Sequence, residues 1–306
     1  MINVSVVIPA YNEGKSIKAL LSSLINGSRV PDEIIVVDAA SQDGTSEAVN
    51  KFIMKNREYN IKLIRLKDTA FPGRARNIGA KASDNDYIAF IDCGIIPDKF
   101  WLERLSLPFE IDNKTDVVWG KCMPSHKNSW EKSLISVTKK KIRDQRCVPS
   151  SCIKKNKFYQ LNMFREDLRA CEDILYVNQI KKLGLNEAFT EANSYYSGYP
   201  GTASESYKKW LLYAKYNVLA GVYKKKLILI LIQVSLLIFL LLYKFPCYLM
   251  LILLFQIIRT LITVKLSPVK LSNFKEYINA FIIINVSDFG RAAGIFLGLK
   301  KRLFSK

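Results

Sequence analysis

One histidine, His126, serves a chain of 306 residues, and none of its six cysteines forms a Cys-x-x-Cys pair. A zinc site would have to gather scattered ligands, so the cysteines at 93, 122, 147, 152, 171 and 247 are expected to be reduced structural thiols in a cytosolic compartment. No Gly-x-Gly-x-x-Gly follows the first strand-like run, and no P-loop pattern occurs anywhere. The usual dinucleotide and P-loop phosphate cradles are thereby excluded. No cleavable apolar leader with a basic front is expected, because Met1-Ile2-Asn3 leads straight into a strand pattern. Acidic residues are scarce as well: 27 Asp and Glu face 46 Lys and Arg, a net charge of +19. That excess suits anionic partners, whether nucleic acid, acidic lipid or phosphate-bearing substrates.

The position of the charge separates these partners. Lys208, Lys209, Lys215 and Lys224 to Lys226 precede the apolar run Leu227 to Tyr243, and Lys300, Lys301, Arg302 and Lys306 close the chain. Basic residues beside apolar runs point to an anionic membrane surface and not to nucleic acid, with plain solubility as the alternative. Segments 227–243 and 246–264 each approach the roughly 20 apolar residues that cross a bilayer core. Only Lys244-Phe245 lies between them, so they are expected to form a helical hairpin, with a soluble buried hairpin as the alternative. Arg259, near the end of the second span, is expected to snorkel. A third apolar segment, 280–299, is interrupted by Asp288 and Arg291 and carries Gly290, Gly294 and Gly298. The positive-inside tendency favours a re-entrant or interfacial helix packed on the hairpin. Trp210, Tyr213 and Tyr216 interleaved with lysines make 206–226 a basic amphipathic interfacial helix. The expected organisation is a soluble domain over 1–205, that helix, and a multi-pass region of the cytoplasmic membrane over 227–306.

The first part alternates. Val4–Ile8, Glu33–Val37, Ile61–Leu66 and Tyr87–Ile91 read as buried strands, with helices at Lys15–Ile25, Thr45 to about Lys55, and Arg74–Lys81 between them. Strands alternating with helices give an α/β fold with a parallel sheet covered on both faces. Pro97 and Asp98 open a helix through Trp101, and Val117–Lys121 offers another strand. Between about Trp130 and Lys157 the pattern weakens, and the basic run Lys139 to Arg146 reads as a solvated helix face or a phosphate clamp. Cys171–Lys182 is again helical, closed by Gly184.

Functional signals gather at the carboxyl ends of strands, where an open parallel sheet presents its ligand crevice. Asp38 leads into Ser41-Gln42-Asp43-Gly44-Thr45, and Asp92 follows Tyr87–Ile91. The first strand ends in Pro9-Ala10-Tyr11-Asn12-Glu13-Gly14, a turn able to set an aromatic ring and backbone amides over a base, while Asp38 is placed to accept from a base N–H. Taken singly, turn and cap chemistry accounts equally well for each. His126 sits in a loop composition and reads as exposed. Trp119 and Trp130 suit either an acceptor sugar or the core.

Taken in order, Val4 to Gly14, Asp38-x-x-Ser41-x-Asp43-Gly44-Thr45, Gly73-Arg74-Ala75-Arg76-Asn77-x-Gly79, Asp92, and Cys171-Glu172-Asp173 resemble the signature of glycosyltransferase family 2. The resemblance covers about the first 200 residues and rests on the order of the elements. It implies the GT-A fold, a hexosyltransferase-type enzyme, and inverting transfer from a UDP- or GDP-type nucleotide-sugar. By the same resemblance Pro9, Ala10, Tyr11 and Glu13 line the nucleotide pocket, and Asp38 contacts the base. Arg74 and Arg76 lie on the loop closing over the nucleotide, and Asp92 opens the Asp-x-Asp that binds Mg2+ or Mn2+. Cys93-Gly94 departs from that pattern, since glycine supplies no ligand, and Asn162-Met163 stands where the family carries two glycines before Phe164. Asp173 is the expected general base, with Glu172 its neighbour or helper; acids opening a helix are the structural alternative. No Gln-x-x-Arg-Trp element occurs, which argues against a long-chain polymerase.

The expected acceptor is a lipid-linked or surface-glycan precursor at the membrane, with no nucleic acid involved and the active site cytosolic. Two rival readings remain: a polyprenyl-phosphate sugar synthase, and a catalytically silent GT-A-like scaffold.

Overall fold

The first strand, β1 (Val4–Ala10), is buried along almost its whole length, as a strand covered on both faces must be. In the computed structural model, which describes residues 1–138, 146–222, 232, 235, 239 and 246–304, it lies inside a mixed eight-stranded sheet. β2 (Glu33–Asp38) and β4 (Tyr87–Phe90) flank it in parallel, and β3 (Ile61–Arg65) continues the parallel half beyond β2. β5 (Ile95–Pro97), β6 (Val117–Pro124), β7 (Ser151–Lys154) and β8 (Glu187–Tyr196) build the other half. The order is β3-β2-β1-β4-β7-β6-β8-β5, with β7 antiparallel to both β4 and β6, β8 parallel to β6, and β5 antiparallel to β8.

Side chains alternate between the two faces of the sheet. Val4, Val6 and Ile8 pack with Ile17, Leu20, Leu21 and Leu24 of α1 (Ile17–Ile25), with α2 (Thr45–Lys55), and with Trp101, Leu105 and Phe109 of α4 (Trp101–Ile111). Val7, Ile88 and Phe90 face the other way, onto Ala80 of α3 (Pro72–Ala82), Phe158 of α6 (Lys155–Gln160), and Tyr176 and Ile180 of α7 (Glu172–Leu183). α7 stops as its sequence dictates, Gly184 taking φ +63°.

Two compact units divide the chain, one of Met1–Ser125 with Asp144–Gly198, the other of His126–Arg143 with Tyr199–Lys306. The second holds α5 (Ser129–Thr138), α8 (Ala203–Leu219), α9 (Pro246–Lys265) and α10 (Phe274–Phe304). α5 was obscure in sequence because part of its buried face is polar. Ser133 and Ser136 donate to the carbonyls of Glu276 and Val269 at 2.9 Å each, so no apolar period marks them.

The glycine stripe of α10 packs on α8, an element outside the expected hairpin, while Asp288 of α10 meets Arg259 of α9. A β-carbon added at Gly290, Gly294 or Gly298 would approach the carbonyl oxygen of Tyr207, Leu211 or Lys215 to 2.7, 2.2 or 2.8 Å, so the two backbones are in direct contact. Arg259 is likewise corrected: its guanidinium pairs with the buried Asp288 in place of snorkelling, and Arg291 holds the other oxygen of Asp288 at 3.0 Å while lying 4.1 Å from the Trp210 ring centroid. A carboxylate buried in an apolar helix needs such partners. Among the described residues one helix, Phe274–Phe304, is long and apolar enough to cross a membrane. The second expected span falls on α9, while the first, 227–243, lies largely outside the described residues, as do Lys224 to Lys226, most of the Lys139 to Arg146 run and Lys306.

Candidate active site

Arg76 is the centre of the site. It projects from α3 and is 2% exposed, with its guanidinium 5.3 Å from the Phe164 ring centroid. One terminal nitrogen donates to both oxygens of Asp92, at 2.7 and 2.9 Å, and the other donates to Glu172 at 3.0 Å. The Asp92 side chain remains about one-third exposed while that of Glu172 is almost fully covered. Burial by itself would lower the Arg76 pKa, but the charges of Asp92 and Glu172 outweigh it and hold the guanidinium firmly protonated. Burial pushes the Glu172 carboxyl up, against the pull of Arg76.

The Gly73–Gly79 motif supplies the scaffolding for this placement. Gly73 lets the start of α3 touch the 162–166 turn, since a β-carbon there would come within 2.4 Å of the Arg165 carbonyl oxygen. Asn77, 1% exposed, clamps the same turn: its amide donates to the Phe164 carbonyl and to Glu166 at 2.9 Å, and its oxygen accepts from the Phe164 N–H at 3.0 Å. The turn keeps its left-handed course without glycine, Asn162 and Met163 taking φ +57° and +59°. Phe164 then stacks on Tyr176, ring centroids 4.2 Å apart, which seats the start of α7 and therefore Glu172 and Asp173.

Asp173 is solvent-accessible, and the Arg76 guanidinium donates to Asp92 and Glu172 and not to it. Its carboxyl is nevertheless raised above the ordinary 3.8, first by the protein packed around it and then by the charge of Asp92, with Arg76 opposing. Asp92, Arg76 and Asp173 therefore share one electrostatic neighbourhood. Glu13 belongs to it too, raised by burial and by Asp43 and Asp92. So does Tyr196, a residue that no local sequence signal marks: its phenol is pushed up to about 12 by burial and then by Asp92.

The remaining expected residues divide. Tyr11 is 44% exposed and Pro9 partly so, but the Ala10 side chain is buried at 3% and offers only backbone. Asp38 differs from expectation. It is fully buried, one oxygen accepting from the Ser41 N–H at 3.0 Å and the other from the Ser46 hydroxyl, so it braces the β2–α2 turn below the surface and presents nothing to a base. The turn amides are also committed: those of Asn12, Glu13 and Gly14 donate to Ser41, Thr45 and Asp43 at 2.8, 2.8 and 2.9 Å. Arg74 is exposed, and two residues round a helix of 3.6 per turn it faces away from Arg76. Trp119 is core, 1% exposed and bonded to Glu187 at 2.7 Å, and is no sugar platform. His126 is exposed.

Among the described residues, the strand end after β4 offers one carboxylate toward a divalent ion. Asp92 has both oxygens on Arg76, Cys93 turns into the core, and Gly94 has no side chain. Among the described residues no group of three or more His, Cys, Asp or Glu is arranged to hold a metal ion.

A mixed sheet in which Asp92 follows parallel strand β4 and meets, through Arg76, the acidic pair that opens α7 fits a glycosyltransferase of GT-A fold. The chain belongs to glycosyl transferase family 2, whose model matches residues 5–168. It is 32% identical over 116 residues to the chondroitin synthase of Escherichia coli, covering 37% of this chain and 16% of that one. It is 34% identical over 103 residues to glycosyltransferase AglE of Haloferax volcanii, 33% of each chain. It is 28% identical over 189 residues to a poly(ribitol-phosphate) beta-glucosyltransferase of Bacillus spizizenii, 56% of this chain and 28% of that one. The chain thus spans a third or less of the length of these relatives. Among solved structures, a mannosyltransferase from Pyrobaculum calidifontis in complex with GDP-Man and Mn2+ matches with a TM-score of 0.56 at 17% identity, covering 72% of this chain and 64% of that one, a likeness of fold.

Proposed function

We propose that the protein transfers a hexose, with inversion, from a UDP- or GDP-type nucleotide-sugar to a lipid-linked or surface-glycan precursor at the cytosolic face of the cell membrane. The observation that carries this reading is Arg76 joining Asp92, which follows β4, to Glu172 at the start of α7, where Asp173 is the next residue. In a direct displacement one carboxylate must take the acceptor hydroxyl proton as the sugar carbon is attacked opposite the departing diphosphate. Glu172 is tied to Arg76, which leaves Asp173, accessible and raised in pKa, as the base. Tyr11, Pro9 and Glu13 belong to the nucleotide pocket in this reading, and Asp38 acts through the turn that positions them. A membrane-held acceptor is supported by the apolar 31-residue helix Phe274–Phe304 and by the basic chain end.

The test is transfer by the purified full chain from a panel of UDP- and GDP-sugars to lipid-linked acceptors. Asp173→Asn should retain donor binding and lose transfer; turnover at the wild-type rate would remove Asp173 from the mechanism.

A further inference from the structure

We propose that Arg259 and Arg291, in the second unit, form a binding site for the phosphate of a membrane lipid. The site presupposes the membrane-held reading above and goes beyond it, by assigning residues to the lipid head group.

Helices α8, α9 and α10 carry three carboxylates between them, Glu205, Glu276 and Asp288. Glu205 accepts from the Gly201 N–H at 2.8 Å and Glu276 pairs with Lys132 at 2.9 Å, which leaves Asp288 to pair with both arginines. One positive charge is left over at the cluster. A surplus charge among apolar helices favours an anionic partner.

The donors for such a partner are open. Among the described residues Arg259 uses only its Nη1, for Asp288 and Gln256, and Arg291 only its Nη1, for Asp288. The two arginine side chains keep 25% and 22% of their surface exposed, whereas that of Asp288 keeps 8%. Trp210 adds to the site: its ring centroid lies 4.1 Å from the Arg291 guanidinium, and its indole N–H is buried without a partner. Two guanidinium forks suit the several oxygens of a phosphate, where a carboxylate would fill one fork.

The cluster also lies where a head group would. Arg259 is the first charged residue of α9, six positions before its last, Lys265, and Leu253, Leu254, Phe255, Ile257 and Ile258 before it are exposed. Trp210 directly follows Lys208 and Lys209. An arginine closing an exposed apolar run, beside an indole preceded by lysines, marks the border between hydrocarbon and water.

The full chain in neutral detergent is titrated with polyprenyl phosphate and phosphatidic acid, and with their phosphate-free counterparts polyprenol and diacylglycerol, bound lipid being counted by native mass spectrometry. The wild type should prefer each phosphate-bearing lipid by about tenfold or more. Arg259→Gln and Arg291→Gln each leave Asp288 one arginine, so its pairing survives, and each should weaken the phosphate lipids by about tenfold. The wild-type comparison needs no variant, so misfolding of either leaves the test standing. Preference for polyprenyl phosphate over phosphatidic acid assigns the site to the lipid-linked acceptor, and parity or the reverse to an anchoring phospholipid; both uphold the phosphate site. Equal wild-type affinity for lipids with and without phosphate, or wild-type binding by both folded variants, overturns the proposal and leaves the membrane reading intact. A full chain that stays in solution without detergent and does not float with vesicles overturns both.

Discussion

Arg76 joins Asp92 and Glu172, residues 16 and 96 positions away along the chain, through a single guanidinium at 2.7 to 3.0 Å. Arg76→Met removes the charge that pairs with two carboxylates, one of them almost fully covered. Breaking a buried pair from one side costs about 3–5 kcal/mol, scaled down here because Asp92 is partly open to solvent. Urea denaturation should show a loss nearer the lower figure, accompanied by loss of donor binding; unchanged stability would remove the guanidinium from its central role.

Asp173 sets the acid side of the pH dependence. A general base works deprotonated, and because its carboxyl is raised above 3.8 by burial, the transfer rate should fall on acidification at a pH above that value. The stability effect has the opposite sign. A raised carboxyl contributes its stability at low pH and loses it as pH climbs through the folded-state pKa, so Asp173→Asn should be neutral or stabilising at pH 7. Rate profiles of the wild type and melting curves of both proteins check the two halves.

Asn77 is the clamp on the turn before Phe164. Asn77→Ala leaves the buried N–H and carbonyl of Phe164 without this partner, at about 1–3 kcal/mol for each group left unsatisfied. Asn162→Val should cost about 1–2 kcal/mol by forcing a branched side chain to φ +57°. Chemical denaturation measures both, and an unaffected Asn162→Val would show that the turn has relaxed.

In the second unit, Gly294→Leu places side-chain atoms where a β-carbon already lies 2.2 Å from the Leu211 carbonyl. The α8–α10 contact should open, lowering the melting temperature of the detergent-solubilised chain and exposing α8 to protease. Asp288→Ala should also destabilise the unit, since Arg259 and Arg291 both lose their carboxylate.

Some of the site was legible in the sequence as position. Strand ends locate Asp92 and the Tyr11 turn, and the acids after Cys171 open α7 as their spacing suggests. Roles were harder to read. Asp38 occupies the expected strand end, yet its carboxylate is consumed by Ser41 and Ser46, local partners that a motif cannot distinguish from a ligand. Tyr196 carries no local signal, because only the return of β8 beside β5 brings it near Asp92.

By itself the amino-acid order determined the α/β class, the buried parallel strands, the stop at Gly184 and the apolar C-terminal helix, all properties of residues within a few turns of one another. Tertiary structure alone decided which carboxylates Arg76 holds, that Asn162-Met163 preserves a glycine-like turn, and that the glycine stripe meets α8. The physical reason is range: periodicity and propensity act along the backbone, whereas the pairing of a buried charge is chosen by whatever distant segment the sheet order brings beside it.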